Sequence, residues 1–150
     1  MLWKTHLAFG LLAALITRSF VNTGNIFIFF ALVLIGALLP DIDHPNSKIN
    51  QKLKITKIFG YIFKHRGIFH TLFFALLLPG LIYFSVGKPY GTALFIGYLS
   101  HLLIDGLTVS GINFLHPIAN LRISGFVETG TMAETMTFIV IIFAIIINIL

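Results

Sequence analysis

With 150 residues the chain has room for one domain, 1–150, and its composition, 57% hydrophobic and 10% charged with a mean hydropathy of +0.98, excludes an ordinary soluble domain, which carries about 45–50% apolar and about 25% charged residues. The absence of cysteine excludes disulfides and thiolate metal sites, so a metal could be held only through nitrogen and oxygen. The formal net charge of +5 is not a nucleic-acid signature, because six of the ten basic residues (Lys48, Lys52, Lys54, Lys57, Lys64 and Arg66) share one stretch between two apolar runs. In a membrane protein that clustering is a positive-inside signal, with anionic lipid headgroups as a second partner; direct nucleic-acid binding is not expected.

In chain order, Met1-Leu2-Trp3-Lys4 leads into an apolar run over 7–16. Thr17-Arg18-Ser19 follows in place of a small-residue cleavage pattern, so the run reads as a retained first helix. It is short for a span, which takes about 20 residues, and must tilt, snorkel or enter partway. Residues 19–40 carry no formal charge and form a second span that stops at Pro40-Asp41. The basic segment then runs to about Lys64, with a short interfacial helix expected over 49–63. Residues 67–87 read as a third span, kinked at Pro79-Gly80. Lys88-Pro89-Tyr90 is a turn into a fourth span over 89–104, 108–134 is an irregular loop rich in Gly and Pro, and 135–150 is a last helix. The expected fold is an all-α integral membrane protein of about five hydrophobic helices, four or five of them spanning.

Orientation follows from the basic segment, which belongs in the cytoplasm. The N-terminus is then cytoplasmic too, and the chain is a multi-pass protein of the inner or plasma membrane. Under this topology the inner face receives His6, then Asp41, Asp43 and His44, then His65 and His70, and finally His101 and Asp105. Three short stretches hold three of the five acidic residues and four of the six histidines. Ionisable residues at membrane depth are expensive and mark function by default.

His101 and Asp105 stand four apart, on one face of a helix, and suit a divalent metal: zinc first, with manganese or iron as alternatives. The bland reading of the pair is a histidine bonded to a carbonyl and an aspartate closing a turn. In Pro40-Asp41-Ile42-Asp43-His44-Pro45 an extended backbone would point Asp41 and Asp43 the same way, and such a pair needs a cation or a proton between its members; the same residues also make an ordinary helix stop. In His65-Arg66-Gly67 with His70-Thr71, Gly67 lets His65 stand on a turn before the helix, and Arg66 is a phosphate clamp or simply the end of the basic segment. His6 is a weaker candidate and His116 weaker still. Glu134 is a ligand near the inner face or a first-turn acid favoured by the helix dipole.

Thr5-His6-Leu7-Ala8, Leu39-Pro40-Asp41-Ile42-Asp43-His44-Pro45, His65-Arg66-Gly67 with His70-Thr71, and Gly97-Tyr98-Leu99-Ser100-His101-Leu102-Leu103-Ile104-Asp105 occur in the order seen in a known family. Over nearly its whole length the chain resembles the YdjM-like membrane-bound metal-dependent hydrolases, also described as LexA-regulated or LexA-binding inner-membrane proteins. That family is distantly similar to zinc-dependent phospholipase C and the P1-type nucleases. The resemblance implies metal ligands at His6, Asp41, His65 or His70, His101 and Asp105, with Asp43 and His44 in or next to the ligand set. It also implies a Gly-x-x-x-Glu element at Gly130 and Glu134, and a regulatory protein partner. Two departures are Phe69, where a small hydroxyl residue is expected before His70, and His116, where an aromatic is usual.

The function expected from these residues is metal-dependent hydrolysis of a phosphoester or lipid-like substrate at the cytoplasmic membrane face. Asp41 or Asp43 would bridge ions or accept a proton, and Arg66 would hold the phosphate. Two alternatives belong to other classes: a divalent-metal or proton transporter or channel, and a metal-stabilised regulatory membrane protein without turnover. A transport pathway needs polar groups at both ends of the spans, and the outer ends offer little beyond Arg18, Asn22, Asn25, Ser85 and Lys88.

Overall fold

The computed structural model describes residues 1–43 and 68–150, with the side chains of Ile42, Asp43 and Ile68 left out. The basic segment, the interfacial helix expected over 49–63, and His44, His65 and Arg66 lie outside the described residues.

Five helices carry the fold among the described residues: α1 Trp3–Thr17, α2 Ile26–Leu38, α3 Leu72–Ser85, α4 Lys88–Gly106 and α5 Met132–Ile149. Local chemistry fixes their ends. Asn25 caps α2 by accepting from the Phe27 and Ile28 amides at 3.0 and 3.3 Å. Pro40 has no N–H with which to continue that helix, and the chain tightens into a 3-10 turn over Leu39–Asp43. A second 3-10 turn, Ile68–His70, leads to Thr71, whose hydroxyl caps α3 at the Phe74 amide. The segment read from sequence as irregular contains a small antiparallel ribbon, β1 Ile112–Asn113 against β2 Arg122–Ile123, with Ile112 opposite Ile123. An isolated bridge between Thr108 and Val127 closes its base.

The central element is α4. Eleven of its 19 residues are buried, against two of the 14 in α3 and three of the 18 in α5. It packs on α1, α2 and α3. The tightest seam is with α2, where Gly36 and Gly97 let the two backbones meet: a Cβ on Gly36 would fall 2.5 Å from the Leu94 carbonyl oxygen. Three apolar clusters surround α4. Ala8, Leu12, Leu15, Ile104, Ile141 and Ile145 join α1, α4 and α5. Ala14, Phe29, Val33 and Ala93 join α1, α2 and α4. Ala75, Tyr98, Leu102 and Ile112 join α3, α4 and β1.

Among the described residues one helix, α5, is both long and apolar enough to cross a bilayer by itself. With 15, 13 and 14 residues, α1, α2 and α3 reach only about 20–23 Å at about 1.5 Å per residue, short of a hydrocarbon core of about 30 Å. The expected count of four or five spans therefore goes beyond what the helix lengths establish. The outer surface is nonetheless strongly apolar: Phe20, Phe27 and Phe84 are each more than 80% exposed, which suits lipid and not water.

Candidate metal centre

Five helix ends meet on one side of α4. The first two turns of α1 carry His6, the 3-10 turn after α2 carries Asp41, and the turn before α3 carries His70. The last two turns of α4 carry His101 and Asp105. The start of α5 closes the group from behind α1, through Glu134. His6, His70, His101 and Asp105 are all buried, while the Asp41 side chain keeps 22% of its surface exposed and forms the accessible edge.

Four ligand-type atoms converge. His70 Nε2 and His101 Nε2 are 3.3 Å apart, and each lies 3.8 Å from Asp41 Oδ1 and 3.8 Å from Asp105 Oδ2. Ligand atoms bonded to one tetrahedral ion at about 2.0–2.1 Å stand roughly 3.4 Å apart, so the two imidazole nitrogens with either carboxylate oxygen come close to the spacing of a shared ion. Two overlapping trios meet the spacing of a metal site: His6, Asp41 and His101, and His70, His101 and Asp105. His101 is common to both. Its Nδ1 lies 2.7 Å from the Ala37 carbonyl oxygen; donating there fixes the tautomer and leaves the Nε2 lone pair for an ion, the arrangement that orients metal-binding imidazoles generally.

His6 stacks on His101, with ring centroids 3.9 Å apart and planes 9° from parallel. Its Nε2 stands 3.3 Å from Asp105 Oδ1. Neither of its ring nitrogens makes a hydrogen bond among the described residues, although both are buried. Unsatisfied buried nitrogens call for an explanation, and an ion among His6, Asp41 and His101 is one that the spacing accommodates. Asp105 thus presents one oxygen to His70 and His101 and the other to His6 and the Met1 backbone nitrogen, 2.6 Å away.

Helix polarity sharpens the case for a cation. Asp41 lies just past the C-terminus of α2, and Asp105 lies in the last turn of α4. Both carboxylates sit at the negative ends of helix dipoles, where an anion is disfavoured. The donor set fits a divalent ion of borderline or hard character.

The described part of the structure brings together five of the sequence-predicted residues: His6, Asp41, His70, His101 and Asp105. Asp43 has a described backbone only. Leu39–Asp43 is a 3-10 turn and not the extended stretch that would point Asp41 and Asp43 the same way. Glu134 belongs to neither trio; its carboxylate accepts from the Leu2 amide at 2.5 Å, the Thr5 hydroxyl at 3.0 Å and the Gly130 amide at 2.7 Å. His116 sits in the turn between the β-strands, outside both trios. The bland reading of Asp105 as a turn residue is half right: its carbonyl takes the Thr108 amide and hydroxyl at 3.0 and 2.7 Å, while its side chain enters the cluster.

Three supporting groups escaped sequence reasoning. One is the Ala37 carbonyl. Another is Tyr98, whose hydroxyl donates to the Phe69 carbonyl at 2.6 Å and so pins the turn that carries His70. The third is Thr5, bonded to Glu134. A backbone carbonyl leaves no sequence signal, but Tyr98 stands three residues before His101 on the same buried face.

Helices with a strongly apolar exterior, gathered around a buried His/Asp cluster, define an all-α membrane protein with a candidate metal centre. The chain matches the family described as YdjM inner membrane protein over residues 1–149, and it belongs to that family. It is 32% identical over 136 residues to the uncharacterized protein YvsG of Bacillus subtilis, covering 89% of this chain and 84% of that protein. To the inner membrane protein YdjM of Escherichia coli it is 33% identical over 124 residues, covering 75% of this chain and 63% of that protein; the Shigella flexneri protein of the same name matches equally. The chain thus spans less than two thirds of those two relatives' length. These relatives support a membrane location for this chain. No solved structure matches it.

Proposed function

We propose that this protein is a membrane-bound metal-dependent hydrolase acting on a phosphoester, lipid-like in character, at the cytoplasmic membrane face. The observation that supports this most is the convergence of His70 Nε2, His101 Nε2, Asp41 Oδ1 and Asp105 Oδ2. The distant similarity that the sequence motifs suggest between the family and zinc-dependent phospholipase C or the P1-type nucleases points the same way. In this reading His70, His101, Asp41 and Asp105 hold the ion, His6 completes the set, and zinc, manganese or iron fits the donors. A divalent ion in such a site supplies a water of lowered pKa and polarises a phosphoryl oxygen. The Ala37 carbonyl holds the His101 ring in place, and Asp41, at the exposed edge, faces the incoming substrate. Arg66 would clamp the phosphate, Asp41 or Asp43 would accept a proton from water, and His44 and His65 would add to the ligand set.

The test is metal content by elemental mass spectrometry on detergent-purified protein, wild type beside a His101→Ala/Asp105→Ala variant, followed by turnover of phosphoester lipids. Near-stoichiometric metal and turnover in the wild type, both lost in the variant, support the proposal. A wild type that neither contains nor takes up zinc, manganese or iron refutes it. One observation favours a second reading, in which the metal only ties the helices together: His70 and His101 are fully buried, as in closed structural sites. Metal-dependent stability without turnover would select that reading.

A further inference from the structure

Among the described residues Glu134 is the one buried acid at the site end of the molecule that takes part in neither His/Asp trio. It is 2% exposed. Its Oε1 accepts from the Leu2 amide and the Thr5 hydroxyl, and its Oε2 from the Gly130 amide. As the third residue of α5, following Thr131 at the cap, it occupies the position from which an acid commonly reaches back to the helix start. Here it does so only in part, since just one of its three donors, Gly130, lies at the start of its own helix. The other two belong to the start of α1, and Thr5 is the immediate neighbour of His6. Leu2, the residue before α1, has no side-chain cap to offer that helix.

The contrast with Asp41 and Asp105 is physical. Those acids lie at helix C-termini, where the dipole disfavours an anion. Glu134 lies at a helix N-terminus, where the dipole favours an anion, and both its oxygens are met by donors. It needs no cation. What it does need is α1 in one place and one rotation about its axis, because the Leu2 amide and Thr5 hydroxyl reach it together only there. That rotation also determines where His6 points, one residue along.

We infer that Glu134 is a positioning residue that clamps the first turn of α1 to the start of α5 and so aims His6 at the metal cluster, without itself binding the ion. The inference rests on the metal reading of the cluster for its consequence, and on the three hydrogen bonds for the clamp itself. Without the clamp, the His6 ring keeps its stacking on His101 and its 3.3 Å approach to Asp105, and stacking permits sliding in the plane of the rings.

The experiment uses the full chain in detergent with cobalt(II) as the probe, comparing wild type, Glu134→Gln, Thr5→Val, Thr5→Ser and His6→Ala. The expected result is cobalt affinity about tenfold weaker in Glu134→Gln and Thr5→Val, the scale on which outer groups act on metal sites, and restored in Thr5→Ser, which keeps the hydroxyl. At saturating cobalt the visible absorption of Glu134→Gln should match wild type, because the ligands are unchanged, whereas His6→Ala should shift it. Melting temperature is measured alongside; a merely structural role would lower it while leaving affinity alone, and that outcome overturns the inference. A saturated spectrum altered in Glu134→Gln makes Glu134 a ligand and overturns it as well. If wild type binds no cobalt, the metal reading is what has failed, and the clamp is judged separately. Spin labels at Lys4→Cys and Met136→Cys in metal-free protein should give a narrow distance distribution in wild type and a broad one in Glu134→Gln; equal widths refute the clamp.

Discussion

The seam between α2 and α4 sets the distance across the His/Asp cluster, and Gly36→Ala tests that directly. Gly36 precedes Ala37, whose carbonyl meets His101, and the helix it sits on ends in the turn that carries Asp41. A Cβ at position 36 would lie 2.5 Å from the Leu94 carbonyl oxygen and 3.0 Å from the Tyr98 amide nitrogen, whereas ordinary contact begins near 3.4 Å. Both obstacles are backbone, so no side-chain rotation relieves the clash and the helices must part by about 0.9 Å. The same displacement would stretch the His101 Nδ1 to Ala37 oxygen separation from 2.7 Å to about 3.6 Å, beyond hydrogen-bond range. Overpacking of this kind costs about 1–3 kcal/mol in stability, and loss of the group that orients a metal-binding imidazole weakens affinity about 10–100-fold. The assay is zinc affinity by competition with a chromophoric chelator in detergent, with a melting curve on the same samples. Gly80→Ala is the control, since nothing lies within 4 Å of a Cβ there; its affinity should equal wild type. Zinc affinity within twofold of wild type in folded Gly36→Ala would refute the claim that this seam fixes the cluster.

Asp41→Asn removes the charge of the most exposed ligand while keeping its volume, and zinc affinity should fall at least tenfold with the melting temperature of the apo protein unchanged or raised. Tyr98→Phe deletes the 2.6 Å bond to the Phe69 carbonyl; stability should drop by about 1 kcal/mol, and zinc affinity by several fold because the His70 turn loosens. Asn25→Ala removes the α2 cap at the opposite end of that helix. It should cost about 1 kcal/mol and leave zinc affinity alone, separating stability from metal binding in the same assay.

The legible part of the site is the part written in local spacing. His101 and Asp105 share a face because a helix puts residues four apart together, and α4 is a helix throughout. His70, Asp41 and His6 were legible for another reason: an ionisable group beside an apolar run has few tolerable fates, and a shared polar cluster is one of them. Where the reading went astray, a competing local rule had prevailed. Pro40 turned the Asp41 stretch into a 3-10 turn in place of the extended backbone expected there. The ribbon of Ile112–Asn113 and Arg122–Ile123 is too short for any alternation to show. The helix pattern over 26–40 could not reveal that Gly36 faces Gly97, because a close crossing is a property of two helices and not of either sequence alone.

Glu134 and Asp105 look alike in sequence, as lone acids at the edges of apolar helices, and they differ only in which end of the helix they occupy. An acid in the last turn meets the negative end of the dipole and carbonyls it cannot bond; it calls for an external positive charge. An acid in the first turn meets amides and the positive end, and is satisfied by the protein itself. Alternating helix directions bring both kinds of end to the same side of this molecule: the starts of α1, α3 and α5 and the finishes of α2 and α4. The acids from finishing ends, Asp41 and Asp105, therefore suit a cation, while the acid from a starting end, Glu134, joins helices. The rule gives a test without a metal assay. Replacing Asp41 by Asn should leave unchanged or stabilise the metal-free protein, because it removes a charge at the wrong end of a helix, whereas Glu134→Gln should destabilise it by leaving the Leu2 and Gly130 amides competing for a single carbonyl oxygen. That contrast in metal-free melting temperature follows from helix polarity; the same sign in both variants would refute it.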